Sequence, residues 1–474
     1  MPATGTTRRV TIAVAAAGIS SFALLYAPQP VLPQLAEQYH LDPGGASLAV
    51  SVATGALAIA VLPIAALSEV VGRRPVILAS VVASVVFGFL LPLAPSYPAL
   101  LVLRALQGVA IAGFPGVAAA YLAERLGKAG LAAAVGAMIA GNTVGGMVGR
   151  LAAGFTAGPF GYQGALLVVA VVGLVCTVVT VLALPPGEQG TFATTFADRR
   201  RSERFRAHGK AVLAGLGAAV RKPVLLVQYA VALLAMGSFV ALYNAAGFRL
   251  TGEPLNLSPA IASLVFLAYA IGSVSSATAG KLVARFGRRR SLAGALLLTI
   301  AGAALTLSDS LPMVVAGFVV LTGAFFAAHA VANGWAAAEA PENARGQVGG
   351  LYTLSYYLGS SVGGAVGATV YGHAGWTWLI VLTAAWLALA AVAVVAVVRE
   401  VVAKVPCYAI AATSSPPPTG NSAGTSRSSS LKARATSRSA RVSGSRREGS
   451  VTLVPETLWN ASIPPGRSSA TAFS

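Results

Sequence analysis

Charge is what this chain has least of: 10% of its 474 residues are Asp, Glu, Lys or Arg, where a soluble globular domain carries about 25%. That shortage excludes a water-solvated fold for most of its length. Acid is the scarcer sign, with 14 Asp and Glu against 33 Lys and Arg. Four histidines and two cysteines, Cys176 and Cys407, are too few and too scattered for a disulfide framework or a metal-ligand set. No run of His, Cys, Asp or Glu sets a nucleophile beside a base, so nothing points to an enzyme.

Apolar residues fill the space that charge leaves. They make up 56% of the chain, with a mean hydropathy of +0.75. A helix needs about 20 apolar residues to cross a bilayer, and such stretches recur near 10–30, 46–67, 76–94, 98–122, 131–156, 163–184, 223–243, 259–279, 291–307, 312–336, 348–370 and 376–398. Backbone in lipid must satisfy its own hydrogen bonds, which leaves helices as the reading for segments of this length. The predicted fold is therefore all-α and integral to a membrane, with twelve transmembrane helices.

Lys and Arg mark the sides of the membrane. Ahead of residue 400, twenty fall in the leader and in the connections at 68–75, 123–130, 185–222, 281–290 and 337–347, and the opposite connections hold only Arg249. This asymmetry places both termini in the cytoplasm. It also accounts for most of the net charge of +19, so the basicity is read as a membrane-insertion signal and not as a nucleic-acid surface. Arg8 and Arg9 precede the first span in the manner of a signal leader. With eleven further spans behind it and no small-residue cleavage site, the segment reads as a membrane helix.

The chain divides into an N-terminal six-helix bundle over 1–184, a polar linker over 185–222 with the run DRRRSERFR, a C-terminal six-helix bundle over 223–399 and a tail over 400–474. The tail is rich in Ser, Arg, Pro and Thr, a composition that predicts disorder. Two repeats support the duplication. LSEVVGRR at 67–74 returns as GKLVARFGRR at 280–289, aligning Gly72 with Gly287, Arg73 with Arg288 and Arg74 with Arg289. Gly141, Gly145 and Gly149 return as Gly359, Gly363 and Gly367. A spacing of four keeps each glycine row on one helix face, where a neighbour can pack closely or slide.

With these motifs in view, the chain resembles the major facilitator superfamily. LSEVVGRR looks like the signature between spans two and three, with Glu69 in the place of its Asp; LRALQG at 103–108 looks like the span-four motif. GNTVGGMVGRLAAG at 141–154 is similar to the Gly-rich span-five motif of the antiporter branches, with Gly146 in the place of a Pro. Together with YAPQPVLPQL at 26–35, AYLAE at 120–124 and AHAVANGW at 328–335, the pattern is similar to bacterial exporters of the YnfM-like, drug–proton-antiporter type over roughly residues 8–400. The resemblance implies a multi-pass carrier of the bacterial inner membrane that needs no cofactor, draws on the proton gradient and works as a monomer on a small molecule in contact with lipid. Uptake or exchange of a sugar or organic acid is the alternative within the class, and a non-transporting membrane sensor is the alternative outside it.

Polar residues at membrane depth are the candidates for the cavity. Arg104 and Arg150 head the set, because a cation in the hydrocarbon costs roughly 2.5–3.5 kcal/mol on insertion scales and asks for a use. Tyr26, Gln29, Gln107, Asn142, His329, Asn333 and Tyr356 complete it. Adjacent tyrosines 356 and 357 cannot both face the cavity. For proton coupling the candidates are Glu124, at the end of span four, and His329, whose ordinary titration range suits the task. The basic turns and Glu69 are expected to form a cytoplasmic gate, with Arg288 and Arg289 lacking the acid that Glu69 supplies in the first half, since Ala284 stands there.

Overall fold

Helices in lipid run on until proline or glycine stops them, and both do so here at regular places. The computed structural model describes residues 2–126, 128–185 and 214–403, so most of the linker, with its basic run, and the tail beyond 403 lie outside the described residues. Among the described residues there is no strand. The first half comprises α1 (Pro2–Tyr26), α2 (Leu32–Tyr39), α3 (Pro43–Val71), α4 (Arg73–Leu90), α5 (Tyr97–Ala112), α6 (Ala118–Arg125) and α7 (Lys128–Ala183). The second comprises α8 (Pro223–Thr251), α9 (Pro259–Ser263), α10 (Ala268–Leu305), α11 (Leu311–Glu339) and α12 (Arg345–Ala403).

Three of these helices are too long to cross once. At 56 residues, α7 would extend about 84 Å at 1.5 Å per residue, against a hydrocarbon core of about 30 Å. Gly161, with φ 64°, folds it into two arms, and Gly287 (φ 78°) and Gly375 (φ 81°) do the same for α10 and α12. Only glycine adopts such backbone without a Cβ clash. Eight helical stretches are long and apolar enough to cross a membrane. Three of them are the helices folded at Gly161, Gly287 and Gly375, and α5 is a shorter apolar helix beside them.

Several boundaries differ from the expected ones. The first span does not stop near residue 30: Pro28 and Pro30 break the helix after Tyr26, and α2 resumes it to Tyr39. Span four is likewise broken, at 113–117 around Pro115, between α5 and α6. Span seven runs to Thr251, which brings Asn244 from an expected loop into a buried helix.

The duplication is visible in backbone geometry. Gly72 (φ 102°) and Gly287 turn the chain at matching points of the two halves, as do Gly161 and Gly375. Both glycine rows lie inside a half. A Cβ on Gly141, Gly145 or Gly149 would come within 3.0 Å of Ala15, Ile19 or Ala23 on α1, and one on Gly359, Gly363 or Gly367 would strike Leu233, Gly237 or Ala241 on α8. Close helix packing therefore explains these rows, and the surface between the halves is formed elsewhere. There α3 meets α12, with Ser361 Oγ donating to the Ser51 carbonyl at 2.7 Å, and α7 meets α9, with Gly154 against Ser263. Valines and leucines such as Val86, Leu182, Leu389 and Val392 stay exposed on the outside, which suits a lipid-facing surface.

Candidate functional site

The break in the first span and the glycine row of α7 together build a polar centre. Gly149 allows α7 to touch the α1 backbone at Ala23. Arg150, the next residue, then reaches one turn further along α1, to Tyr26 and to Gln29 in the proline-bracketed turn. Arg150 is 2% exposed. Its Nε donates to Gln29 Oε1 at 2.5 Å and its Nη1 donates to the Gly146 carbonyl at 2.8 Å. The guanidinium carbon lies 4.1 Å from the Tyr26 ring centre, 4.6 Å from Tyr269 and 5.3 Å from Phe266. Two of those rings belong to the second half. Gln29 Nε2 in turn donates to Asn244 Oδ1 on α8 at 2.8 Å. Gln29 and Asn244 are 215 positions apart, the same offset that relates Gly72 to Gly287, so this bond joins equivalent positions of the two halves.

From the Arg150 cage an aromatic seam runs through the second half. Tyr269 lies 5.6 Å from Phe239, Phe239 stacks on Phe325 at 4.0 Å, Phe325 faces His329 at 6.2 Å, and His329 lies 4.7 Å from Tyr356. The Tyr352 hydroxyl is 3.1 Å from His329 Nδ1 and also donates to the His329 carbonyl at 3.2 Å. Of the adjacent tyrosines, Tyr357 is buried and Tyr356 half-buried beside the histidine. The second half thus supplies most of the rings, and the first half supplies the cation.

The other expected site residues lie elsewhere. Arg104 does not face this centre. It is fully buried, with Nε on the Ala49 carbonyl at 2.6 Å, Nη1 on the Leu24 carbonyl at 3.1 Å and on Gln107 Oε1, and Nη2 on the Leu25 carbonyl. Gln107 Nε2 passes the network on to the Ser84 carbonyl at 3.0 Å. The pair ties α1, α3, α4 and α5 together, an arrangement that the expectation of a shared cavity face did not include. Asn142 packs against Gly18, its Oδ1 buried without a hydrogen-bond partner among the described residues. Asn333 is exposed, one turn beyond His329 toward the end of α11.

At the basic-turn end, Arg73 Nη1 pairs with Glu124 Oε1 at 2.8 Å and donates to the Ala120 carbonyl at 2.6 Å. Arg74 Nη2 reaches the Leu184 carbonyl at 3.5 Å. Glu124, 57% exposed on its side chain, is therefore an ion-pair partner at the end of the bundle. Arg288 Nη1 pairs with Glu339 Oε1 at 3.6 Å. Both residues lie 215 positions after their counterparts Arg73 and Glu124, so the second half has its own acid, supplied by α11. Both pairs stay within one half. Glu69 is exposed at the end of α3, and Arg289 is half-buried.

A family description, Major Facilitator Superfamily, matches residues 14–251 and 248–440. The chain belongs to the major facilitator superfamily. It is 34% identical over 388 residues to the MFS-type transporter YybF of Bacillus subtilis (strain 168), covering 80% of this chain and 92% of YybF. Against the inner membrane transport protein YnfM of Escherichia coli (strain K12) it is 34% identical over 382 residues, covering 81% and 88%. The fold is similar to that of a bacterial homologue of the human lysosomal transporter Spinster in an inward-facing, occupied conformation, with a TM-score of 0.64 and 16% identity over 83% of this chain and 96% of that one. It is also similar to the nucleoside transporter NupG, with a TM-score of 0.61 and 13% identity over 82% and 99%. Membership makes this superfamily chain a multi-pass membrane transporter and not an enzyme. Among the described residues no group of three or more His, Cys, Asp or Glu side chains could hold a metal ion.

Phe266, Tyr269, Asn244 and Glu339 stand in contact with the candidate residues and were missed by motif reading. The 215-residue offset, applied to Gln29 and Glu124, would have found the last two. Nothing in the local sequence marks the two rings.

Proposed function

We propose that the protein exports a small organic molecule across the bacterial inner membrane in exchange for protons, by alternating access of one central site. The observation that carries this reading is the Arg150–Gln29–Asn244 chain. It is a buried polar connection between equivalent positions of two pseudo-symmetric halves, set at a break in a membrane helix, where carriers of repeated architecture bind their substrates. Arg150 lies eleven residues before Gly161, about 16 Å along the helix, close to half the hydrocarbon thickness. The direction of export rests on the likeness of the 141–154 segment to the antiporter motif. The excess of Lys and Arg in alternate connections supports cytoplasmic termini. Since the two halves of one chain enclose the site, the monomer is the transport unit.

His329 is the residue proposed to carry the proton. It lies against the hydroxyl of Tyr352 and at the far end of the aromatic seam from Arg150. Glu124 and Glu339 are proposed to act with Arg73 and Arg288 as clasps at the cytoplasmic end.

Uptake of labelled organic compounds into energised inverted vesicles tests the reading. Accumulation that collapses with an uncoupler and is lost in His329→Ala is expected. Accumulation indifferent to the uncoupler would replace proton exchange by facilitated diffusion, and exit from inverted vesicles would reverse the direction.

A further inference from the structure

We propose that Arg150 binds the acidic group of an aromatic organic anion, a ring bearing a carboxylate or a similar singly charged group; this names the substrate class of the transport site proposed above. Three observations converge on it. First, no acid of the described residues pairs with this cation. Glu124, Asp309 and Glu339 pair with Arg73, Arg249 and Arg288, and the hydrogen bonds of Arg150 go to a neutral amide and a neutral carbonyl. A guanidinium at membrane depth whose acceptors are all neutral has no protein carboxylate against it, which leaves that place to an anionic ligand.

Second, the groups around it are chosen for a flat acid. Nε and Nη1 are held by Gln29 and Gly146, while Nη2 carries no hydrogen bond among the described residues. A carboxylate can take Nη2 and one neighbouring N–H in the paired geometry that planar guanidinium offers. The rings of Tyr26, Phe266 and Tyr269 surround the cation without competing for its protons. Third, the apolar part of the ligand has a defined direction. Buried and half-buried rings continue from Tyr269 through Phe239, Phe325 and His329 to Tyr356, and an aromatic body would stack on them as the two halves part.

Gln29 is a positioning residue in this scheme. Its Oε1 is engaged by Arg150, while Asn244 Nδ2 is buried without a hydrogen-bond partner among the described residues. When the guanidinium turns toward an anion, Gln29 Oε1 becomes free to accept from Asn244 Nδ2, and a second bond joins the halves. Binding is thereby communicated to the contact that alternating access must remake.

Ligand-observed NMR titrations of the purified full chain in lipid nanodiscs test the proposal, with benzoate, phenylacetate and indole-3-acetate as probes and their amides as matched neutral controls. At least one acid is expected to bind saturably and at least tenfold more tightly than its amide. Arg150→Met is expected to abolish that preference, and Arg150→Lys to retain part of it. Gln29→Glu, which sets a carboxylate of the protein's own against Arg150, is expected to weaken acid binding at least tenfold without lowering the thermal midpoint. Equal binding of acids and amides, full acid binding in Arg150→Met, or no binding of any acid would overturn the proposal. Acid binding with no acid moved in the vesicle assay would instead overturn the transport reading and leave the anion site standing.

Discussion

Arg104 and Arg150 are both buried guanidinium groups in membrane helices, and their partners differ. Arg104 gives its protons to the carbonyls of Ala49, Leu24 and Leu25 and to Gln107; removing it takes one donor from each of these buried oxygens, at about 1–3 kcal/mol for each one left unsatisfied. Arg104→Met is accordingly expected to lower the thermal unfolding midpoint sharply or to prevent isolation of a monodisperse protein. Arg150→Met is expected to change the midpoint little while stopping transport, because rings and amides remain to fill its cage. Thermal unfolding in detergent beside vesicle uptake checks the pair, and equal loss of stability in both variants would contradict the division of roles. Sequence reading found both arginines from their cost in lipid. It could not say which one faced carbonyl oxygens of other helices, since those acceptors come from residues 55 to 80 positions away.

At the scale of helices, the two glycine rows are the parts whose geometry follows most directly from sequence. A Cβ at Gly363 would overlap the backbone of Gly237, so Gly363→Ala forces α12 away from α8 and is expected to destabilise by about 1–3 kcal/mol, as overpacking does. Gly294, on the second arm of α10, has nothing within 4 Å of an added Cβ; Gly294→Ala is expected to be neutral or stabilising by up to about 1 kcal/mol. Midpoints measured on the two variants side by side separate packing from helix propensity. The rows, the repeated basic turns and the long apolar helices were legible because small residues at period four and apolar runs of membrane length are local signals. Breaks at 27–31 and 113–117 were less so. Pro28 and Pro115 mark them, but a proline inside an apolar run shows neither whether the helix resumes nor how far it then extends.

For the whole molecule, the decisive contacts are those between the halves. A Cβ on Gly55 would lie 3.4 Å from the Cβ of Ser361, near the separation that a disulfide requires. In a chain with Cys176 and Cys407 replaced by Ser, Gly55→Cys with Ser361→Cys is expected to cross-link α3 to α12 on oxidation and to slow transport at least tenfold, with recovery in reductant. A shift in electrophoretic mobility measures the cross-link, and vesicle uptake measures the rate. Failure to cross-link would refute this contact, and full activity of the cross-linked protein would place the moving surface elsewhere.

Sequence alone determined the solvent, the secondary structure class, the duplication and the family, because each depends on composition or on spacing along one chain. Only tertiary structure decided that the cation at the centre is Arg150, that Asn244, Phe266 and Tyr269 come to it from the second half, and that Arg288 finds Glu339. Those groupings depend on how the two halves are set against each other and on the offset carried through three dimensions. The physical reason is that lipid rewards every apolar face alike, so a hydropathy pattern fixes where helices cross but not which faces meet. The meeting faces are chosen by a few small residues that let backbones touch and by a few buried polar groups that must find one another.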